Sequence, residues 1–195
     1  MNMKITWENI KTVNSKSFNC GYCGNSVSSD KAFTGNKSDG RMLFPSFIYI
    51  CHHCSYPTFF DDIGQQTPQK TFGENVLNIN DSNIQALYEE ARGCYSACAF
   101  TASTMVCRKL LMNLAVSKGA KENQSFQNYV DYLDTNNFIP NGTKDWIDVI
   151  RTQGNEATHE IALSTQDQAE EILSFTEMLL KLIYEFPNRA LKYKK

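Results

Sequence analysis

The spacing of apolar residues along the chain changes near residue 61. Upstream of this point, apolar and aromatic residues are interspersed with Gly, Ser, Asn and Cys, a pattern typical of short strands joined by turns. From Asp81 onward, apolar residues recur at helical spacing almost to the end. The polar segment between them contains Gly and Pro and indicates a linker. The pattern therefore predicts a small β domain at residues 1–60, a linker at 61–80 and a helical domain at 81–195.

Five helices are predicted in the C-terminal region, so the expected fold is mainly α, a helical bundle preceded by a small β module. Ser82 and Gln85 have the spacing of a capping box at the start of the first helix. Gly93 is expected to interrupt this helix because glycine disfavours a helix interior. A second long helix is predicted from Cys94 to about Ser117.

Three further helix starts are indicated by capping residues. Ser125 and Thr143 stand where the N-caps of the third and fourth helices are expected. Thr165 and Gln168 form another capping-box pattern, and Pro187 is expected to end the fifth helix that begins there. The apolar residues predicted to share one face of this fifth helix are Ile172, Phe175, Leu179, Leu182, Ile183 and Phe186.

Composition and charge narrow the classes of function. The net charge of -2 makes no electrostatic case for tight nucleic-acid binding, although residues 1–60 have a local excess of Lys and Arg over Asp and Glu. The chain has no apolar run of membrane-spanning length, and its first residues lack the apolar centre of a signal peptide. We therefore predict a cytoplasmic protein with no membrane partner, in a compartment that disfavours disulfides.

Four of the seven cysteines form two matched pairs, Cys20-Gly-Tyr-Cys23 and Cys51-His-His-Cys54. Each C-x2-C pair can place two thiolates on one side of a metal ion, and two pairs complete the tetrahedral site that zinc prefers. The 27 residues between the pairs exceed the usual spacing, which an insertion at a hairpin tip near residues 35–40 would explain. We therefore predict one structural zinc ion in a zinc ribbon, bound by Cys20, Cys23, Cys51 and Cys54.

Four thiolates close the coordination shell, so no catalysis is assigned to the metal. A redox role for one pair is the alternative, but two matched pairs without a βαβ context disfavour it. His52 or His53 could replace a cysteine ligand, although adjacent residues in such a turn are more often exposed. Cys94, Cys98 and Cys107 are predicted to be small core residues.

A polar stripe is predicted on the helix that contains Trp146. Arg151, Asn155 and His159 are spaced four residues apart, so they would lie along one face of an α-helix. An Arg fork can hold phosphate oxygens and an imidazole titrates near neutrality, so the stripe could bind a phosphate and transfer a proton. The alternative, which the spacing alone favours, is a surface or interhelical set of hydrogen-bonding side chains.

Five segments of the helical region form a recognisable set: Glu90-Ala-Arg92, Arg108-Lys-Leu, Tyr132 to Pro140, Ile150-Arg151-x-x-Gly-Asn-x-Ala-x-His159 and Leu179-Leu-x-x-Ile-Tyr-Glu185. Together they make residues from about 81 to 190 resemble the DUF4145 family. The R-x-x-G-N-x-A-x-H segment is the specific part of the resemblance, and the other segments are generic helix. Members of that family often carry an N-terminal zinc ribbon.

The DUF4145 family is similar to the wider HEPN group of helical bundles, which are frequently metal-independent endoribonucleases of bacterial phage-defence, toxin–antitoxin and restriction systems. The resemblance implies a five-helix HEPN-like bundle that cleaves RNA. His159 would act as general base on the ribose 2′-hydroxyl or as acid on the leaving oxygen. Arg151 would stabilise the transition-state charge, and Asn155 would orient the imidazole or the phosphate.

The same resemblance implies a homodimer in which the motifs of two protomers face each other, and a partner protein from a defence system. Arg108 is a further candidate for binding the substrate. HEPN signatures place four to six residues between Arg and His, whereas seven separate Arg151 from His159. This longer spacing gives Asn155 the polar position beside His159.

Two other functions remain open beside RNA cleavage or RNA binding in a bacterial defence or stress system. In the first, the chain is a non-enzymatic module that binds a protein or a nucleotide and uses the zinc ribbon for contacts. In the second, the ribbon contacts DNA, which requires five basic side chains on one face and a steep dependence of affinity on salt. Those five residues are Lys11, Lys16, Lys31, Lys37 and Arg41.

Overall fold

The protein divides into two compact units in the structure, which is a computed structural model. The described residues are 6–35, 45–143, 145–150 and 163–192. The first unit comprises Met1–Phe72 and Ser96–Cys98, and the second comprises Gly73–Tyr95 and Ala99–Lys195.

The first unit is built on an antiparallel sheet whose strands lie side by side in chain order. Within the described ranges the strands are β1 (Lys11–Asn19), β2 (Ser26–Gly35), β3 (Ser46–Ile50), β4 (Pro57–Phe60) and β5 (Gln66–Thr67). Each strand pairs only with its neighbours in sequence, so successive turns alternate between the two ends of the sheet. The β1–β2 and β3–β4 turns therefore lie at the same end.

An aromatic cluster forms the core of this unit. The rings of Phe18 and Phe60 meet edge-on with centroids 5.3 Å apart, and those of Tyr49 and Phe60 meet edge-on at 5.8 Å. Val27 and Ala32 on β2 are buried in the same cluster. Edge-to-face aromatic pairs of this kind contribute about 0.5–1.5 kcal/mol each beyond the area that they bury.

The prediction of a mainly α fold, with a five-helix HEPN-like bundle after a small ribbon, is wrong. The described residues contain a sheet of five strands as well as helices, so the fold is mixed α and β. The sheet was underestimated because its first and last strands carry few buried apolar residues. Only Phe18 is buried in the nine-residue strand β1, and β5 is two residues long. A strand with so little apolar alternation gives a weak period-two signal.

The second unit is helical. Its described helices are α1 (Ser82–Ser96, whose last residue belongs to the first unit), α2 (Phe100–Ser117), α3 (Phe126–Thr135), α4 (residues 145–150), α5 (Gln166–Leu180), a π-helical turn (Lys181–Glu185) and α6 (Phe186–Leu191). Helix α2 packs against both α3 and α5. Fully buried side chains at these contacts include Leu110, Leu114, Leu133, Phe175 and Leu179. No helix in the described part of the chain is both long and apolar enough to cross a membrane.

An extended segment, residues 73–77, is fastened to the helices and is called the strap here. The guanidinium of Arg92, which is 7% exposed, donates a 2.9 Å hydrogen bond to the carbonyl of Gly73. The hydroxyl of Tyr88 donates to the carbonyl of Glu74 at 2.8 Å. The ammonium of Lys181 lies 2.6 Å from the Glu74 carboxylate. The helices thereby satisfy backbone groups of a segment that has no secondary structure of its own.

The start of α1 is capped by a different residue from the one predicted. The side-chain Oδ1 of Asp81 accepts hydrogen bonds from the backbone N–H groups of Asn83 at 2.9 Å and Ile84 at 3.2 Å. Asp81 is therefore the N-cap, and the capping box predicted for Ser82 and Gln85 is wrong. A carboxylate is an effective cap because its charge also interacts favourably with the N-terminal end of the helix dipole.

The predicted interruption at Gly93 is also wrong, because α1 continues through it. The helix ends instead at Ser96, and Cys98, two residues beyond, has a positive φ of 60°. The Ala99 N–H donates to the carbonyl of Cys94 at 2.9 Å, the six-to-one bond of a Schellman motif. Glycine usually occupies the left-handed position of this motif, so a cysteine there gives no sequence signal for a helix end.

Two other predicted caps are confirmed. The Ser125 hydroxyl accepts from the Asn128 N–H, and Thr165 and Gln168 form a reciprocal capping box. At Thr143, the carbonyl accepts from the Ile147 N–H at 3.0 Å, as an N-cap carbonyl does.

The prediction that Pro187 ends the fifth helix is wrong, because helical structure continues to Leu191. The π-helical turn precedes the proline, and the N–H of Phe186 bonds to the carbonyl of Lys181. Pro187 then stands in the first turn of α6, where a missing N–H is tolerated. The extra residue in the turn rotates the buried face, so Phe186 is 45% exposed while Tyr184 is buried.

Candidate metal centre

The two cysteine pairs lie in two turns of the same construction at one end of the sheet. The first cysteine turn, residues 20–25, joins β1 to β2, and the second, residues 51–56, joins β3 to β4. In the first turn, the Gly24 N–H donates to the Cys20 carbonyl at 2.9 Å. In the second, the Ser55 N–H donates to the Cys51 carbonyl at 2.8 Å.

Each turn closes through a residue with left-handed backbone. Gly24 has a φ of 70° and Ser55 has a φ of 62°. Because both residues come four positions after the first cysteine of their pair, the two turns present their sulfur atoms in the same way. Ser55 is further held by the indole of Trp7, whose Nε1 donates to the Ser55 carbonyl at 2.7 Å.

The four sulfur atoms form one compact cluster. The Sγ atoms of Cys20 and Cys54 are 3.7 Å apart, and those of Cys23 and Cys51 are 3.8 Å apart. All four ligand atoms lie within 4.8 Å of one another. These distances are far longer than the ~2.05 Å of a disulfide bond, and all four cysteines are free thiols. The cluster is therefore a site that could hold a metal ion.

Burial and local donors shape the chemistry of these thiols. Cys20 and Cys51 are fully buried, and Cys23 and Cys54 are partly buried. Burial raises the pKa of the Cys20 and Cys54 thiols above the ordinary value. The Asn25 side-chain amide lies 3.4 Å from the Cys23 sulfur and the Tyr22 N–H lies 3.5 Å from the Cys20 sulfur, so both can donate to a thiolate. Four thiolates this close would repel one another unless a cation lay between them.

The histidines of the second cysteine turn stand outside this cluster. Among the described residues, the metal-ligating cluster contains only the four cysteines. His52 and His53 are exposed, and their rings are 4.6 Å apart, centroid to centroid. The arrangement matches a closed tetrathiolate site, which has no open position for a reacting water.

An exposed aromatic pair lies beside the metal centre. The rings of Tyr22, in the first cysteine turn, and Tyr56, in the second, are stacked with centroids 4.9 Å apart and planes 24° apart. Tyr22 is 50% exposed and Tyr56 is 47% exposed. The pair is called the tyrosine platform here. It bridges the two turns that carry the four cysteines.

The predicted catalytic residues Arg151, Asn155 and His159 lie outside the described residues, so the structure does not test them. Arg108, the predicted substrate-binding residue, is partly buried on α2 and its guanidinium lies 4.6 Å from the ring centroid of Phe126 on α3. Burial lowers the pKa of this guanidinium. The contact stabilises the α2–α3 packing through a cation–π interaction.

Two further site predictions have different outcomes. Lys37 and Arg41, which the DNA-binding alternative needs, also lie outside the described residues. Of the three cysteines predicted as core residues, Cys107 is fully buried, Cys94 is partly buried and Cys98 is exposed. The core prediction is therefore confirmed for Cys107 and wrong for Cys98.

No sequence pattern predicted the tyrosine platform. Its only sequence signal is that each cysteine pair has a tyrosine two residues after one of its cysteines, Cys20 and Cys54. An aromatic residue in a strand-rich segment is usually part of a core, and nothing in the spacing distinguishes an exposed one.

Comparison with known proteins identifies one match. Residues 89–195 match the model of the DUF4145 family, described as a domain of unknown function. The matched segment is more than half of the chain and covers most of the helical unit. No curated protein and no solved structure matches the chain.

Proposed function

The chain belongs to the DUF4145 family, and we propose that it is a single-stranded-RNA-binding protein whose first unit is stabilised by one zinc ion. The observation that carries the proposal is the stacked and half-exposed pair Tyr22 and Tyr56 beside the four-cysteine cluster.

Zinc is the metal that best fits the cluster. Four thiolates are soft ligands, and a tetrahedral set of four sulfur atoms is typical of structural zinc or of iron–sulfur chemistry. A tetrahedron with metal–sulfur bonds of about 2.3 Å has edges of about 3.8 Å. The distances of 3.7 and 3.8 Å between paired sulfur atoms agree with that geometry for a single ion. The ion would hold the two cysteine turns together, and Cys20, Cys23, Cys51 and Cys54 would be its ligands.

The tyrosine platform suits unpaired bases. Aromatic side chains at a surface bind single-stranded nucleic acids because every base presents a π-face, whereas the bases of a duplex are stacked on one another. The platform is rigid, since each tyrosine belongs to a closed turn whose sulfur atoms would be ligands of the same metal. Pre-organised rings lose little conformational entropy on binding.

The charge distribution supports stacking rather than electrostatic attraction as the source of affinity. The chain has a net charge of -2, so a large contribution from phosphate neutralisation is not expected. RNA rather than DNA is proposed because unpaired stretches are the usual form in which RNA is recognised.

RNA cleavage by Arg151, Asn155 and His159 is a separate proposal for the helical unit. It rests on the sequence motif and on its resemblance to metal-independent endoribonucleases. The binding proposed for the first unit would bring RNA to this protein, so the two functions are compatible.

A titration with a fluorescent single-stranded RNA of about ten nucleotides tests the binding function. The Tyr22→Ala/Tyr56→Ala variant is expected to raise the Kd by about 5- to 150-fold for each base that stacks on the platform. The Tyr22→Phe/Tyr56→Phe variant keeps both rings and should bind within about threefold of the original protein, since a hydroxyl adds little to stacking.

The matched control is Phe186→Ala, which removes a similarly exposed ring from the second unit. All variants are first checked for an unchanged metal content. Loss of affinity confined to the alanine double variant supports the proposal. An unchanged Kd for that variant, or no RNA binding by the original protein, contradicts it and favours a protein partner for the platform.

A further inference from the structure

A pocket of about 580 Å³ adjoins the tyrosine platform. Every residue that lines it belongs to the first unit. Its volume falls within the range of pockets that hold small organic ligands, about 300–1,000 Å³. Tyr22 is both a wall of this pocket and half of the platform, so the two features form one continuous surface.

The lining combines three kinds of chemical group. Tyr22 supplies an aromatic ring, Gln65 and Gln69 supply amides, and Lys70 supplies an ammonium group. An aromatic ring binds a planar heterocycle, amides match the donors and acceptors of a base edge, and a flexible cation suits a phosphate. A nucleotide carries all three complementary groups.

The pocket wall is held in place by hydrogen bonds to backbone carbonyl groups. The side-chain Nε2 of Gln66 donates to the carbonyl of Asn19 at 2.8 Å and to that of Pro68 at 3.0 Å. The Gln69 N–H donates to the carbonyl of Ser96 at 2.9 Å. Gln66 is therefore a structural part of the wall, and the segment that carries Gln65, Gln69 and Lys70 is tied to the end of β1.

We infer that this pocket holds one unpaired nucleobase, stacked on Tyr22, with an adjacent phosphate at Lys70. The inference rests on the proposed RNA binding and adds to it a location for one base of the strand. Gln65, an exposed residue of the same lining, would contact the edge of the base through its side-chain amide.

The test compares Lys70→Met with Lys121→Met, a matched change of an exposed lysine in the second unit. The Kd for single-stranded RNA is measured at several salt concentrations. Loss of one phosphate contact is expected to reduce the slope of log Kd against log salt by about 0.7 for Lys70→Met. Lys121→Met is expected to leave the slope unchanged.

A second measurement locates the base without a variant. RNA that contains 4-thiouridine is cross-linked to the original protein, and the modified peptide is identified by mass spectrometry. Cross-links at residues 19–22 or 65–70 are expected. A third arm replaces RNA with a free nucleoside monophosphate, which shares the base and phosphate chemistry, and measures binding by calorimetry.

The outcomes separate this inference from the proposed function. One outcome is that RNA binds, that Lys70→Met leaves the slope of log Kd against log salt unchanged, and that the cross-links are confined to the second cysteine turn. This result overturns the pocket and leaves the platform intact. Binding of the free nucleotide but not of RNA supports the pocket and overturns the proposed function. No binding of either ligand overturns both.

Discussion

The sulfur atoms of Cys20 and Cys54 lie 3.7 Å apart although 34 positions separate these residues along the chain. The sheet explains this proximity. The turns that carry these residues join β1 to β2 and β3 to β4 of an antiparallel meander, so both turns lie at the same end of the sheet. The cysteine cluster is thus both a product of the sheet and, with a metal ion bound, a cross-link between the β1–β2 and β3–β4 hairpins.

One zinc ion per chain is expected from metal analysis of the purified protein. Cys51→Ser should lose the metal and the cooperative unfolding of the first unit, because a fully buried ligand is replaced and the free energy of zinc binding is coupled to folding. Cys98→Ser, a change at an exposed cysteine outside the cluster, should retain one zinc ion. Equal metal content in both variants would contradict the assignment.

Gly21→Ala is expected to destabilise the first unit. A Cβ at this position would lie 2.4 Å from the carbonyl oxygen of Gln69 and 2.7 Å from that of Pro68, so backbone would have to move. Overpacking of this kind costs about 1–3 kcal/mol in the free energy of unfolding. Urea denaturation followed by tyrosine and tryptophan fluorescence measures the change.

Gly93→Ala is the matched control, because an added Cβ meets no atom within 4 Å there. This variant should instead stabilise α1 by up to about 1 kcal/mol, the difference in helix propensity between the two residues. If Gly21→Ala had the same urea midpoint as the unmodified protein, the close approach at Gly21 would be refuted.

Arg92→Met is expected to release the strap from the helical unit. The buried guanidinium bonds to the Gly73 carbonyl and to the Asn75 side chain, and hydrogen bonds to a charged group contribute about 1.5–3 kcal/mol each. Faster amide hydrogen exchange is therefore predicted for residues 73–77. Arg189→Met, at an exposed position on α6, should leave exchange in the strap unchanged. Unchanged protection in Arg92→Met would show that other contacts hold the strap.

Incubation of the protein with total RNA in EDTA tests the cleavage predicted from the sequence. Cleavage by the original protein, together with its loss in a folded Arg151→Ala/His159→Ala variant, is the expected result because the motif needs no divalent metal. Products ending in 2′,3′-cyclic phosphate would identify transfer to the ribose 2′-hydroxyl. Absence of cleavage by the original protein would leave RNA binding as the function to test.

Local features of the molecule were predictable from the sequence. The Ser125 cap and the Thr165–Gln168 capping box depend on residues within one helical turn of each other, so their spacing is sufficient to identify them. The cysteine quartet was equally clear, because two C-x2-C pairs define two similar turns whatever the length of chain between them.

Competing local signals account for the errors. Gly93 is a helix breaker by propensity, yet its cost of about 1 kcal/mol is small enough for α1 to continue through it. Cys98, two residues beyond the end of that helix, has a left-handed conformation that cysteine rarely adopts. The π-helical turn that ends two residues before Pro187 allows the helix to continue.

The sequence by itself determined the cysteine quartet, several helix starts and the membership in the DUF4145 family, since each depends on residue types at short, fixed separations. The tertiary structure decided the five-stranded sheet, the stacking of Tyr22 on Tyr56 and the pocket beside them. These features join residues that are distant in sequence, and the polar first and last strands of the sheet carry little periodic signal. Their positions follow from strand pairing and turn closure, which are properties of the folded sheet as a whole.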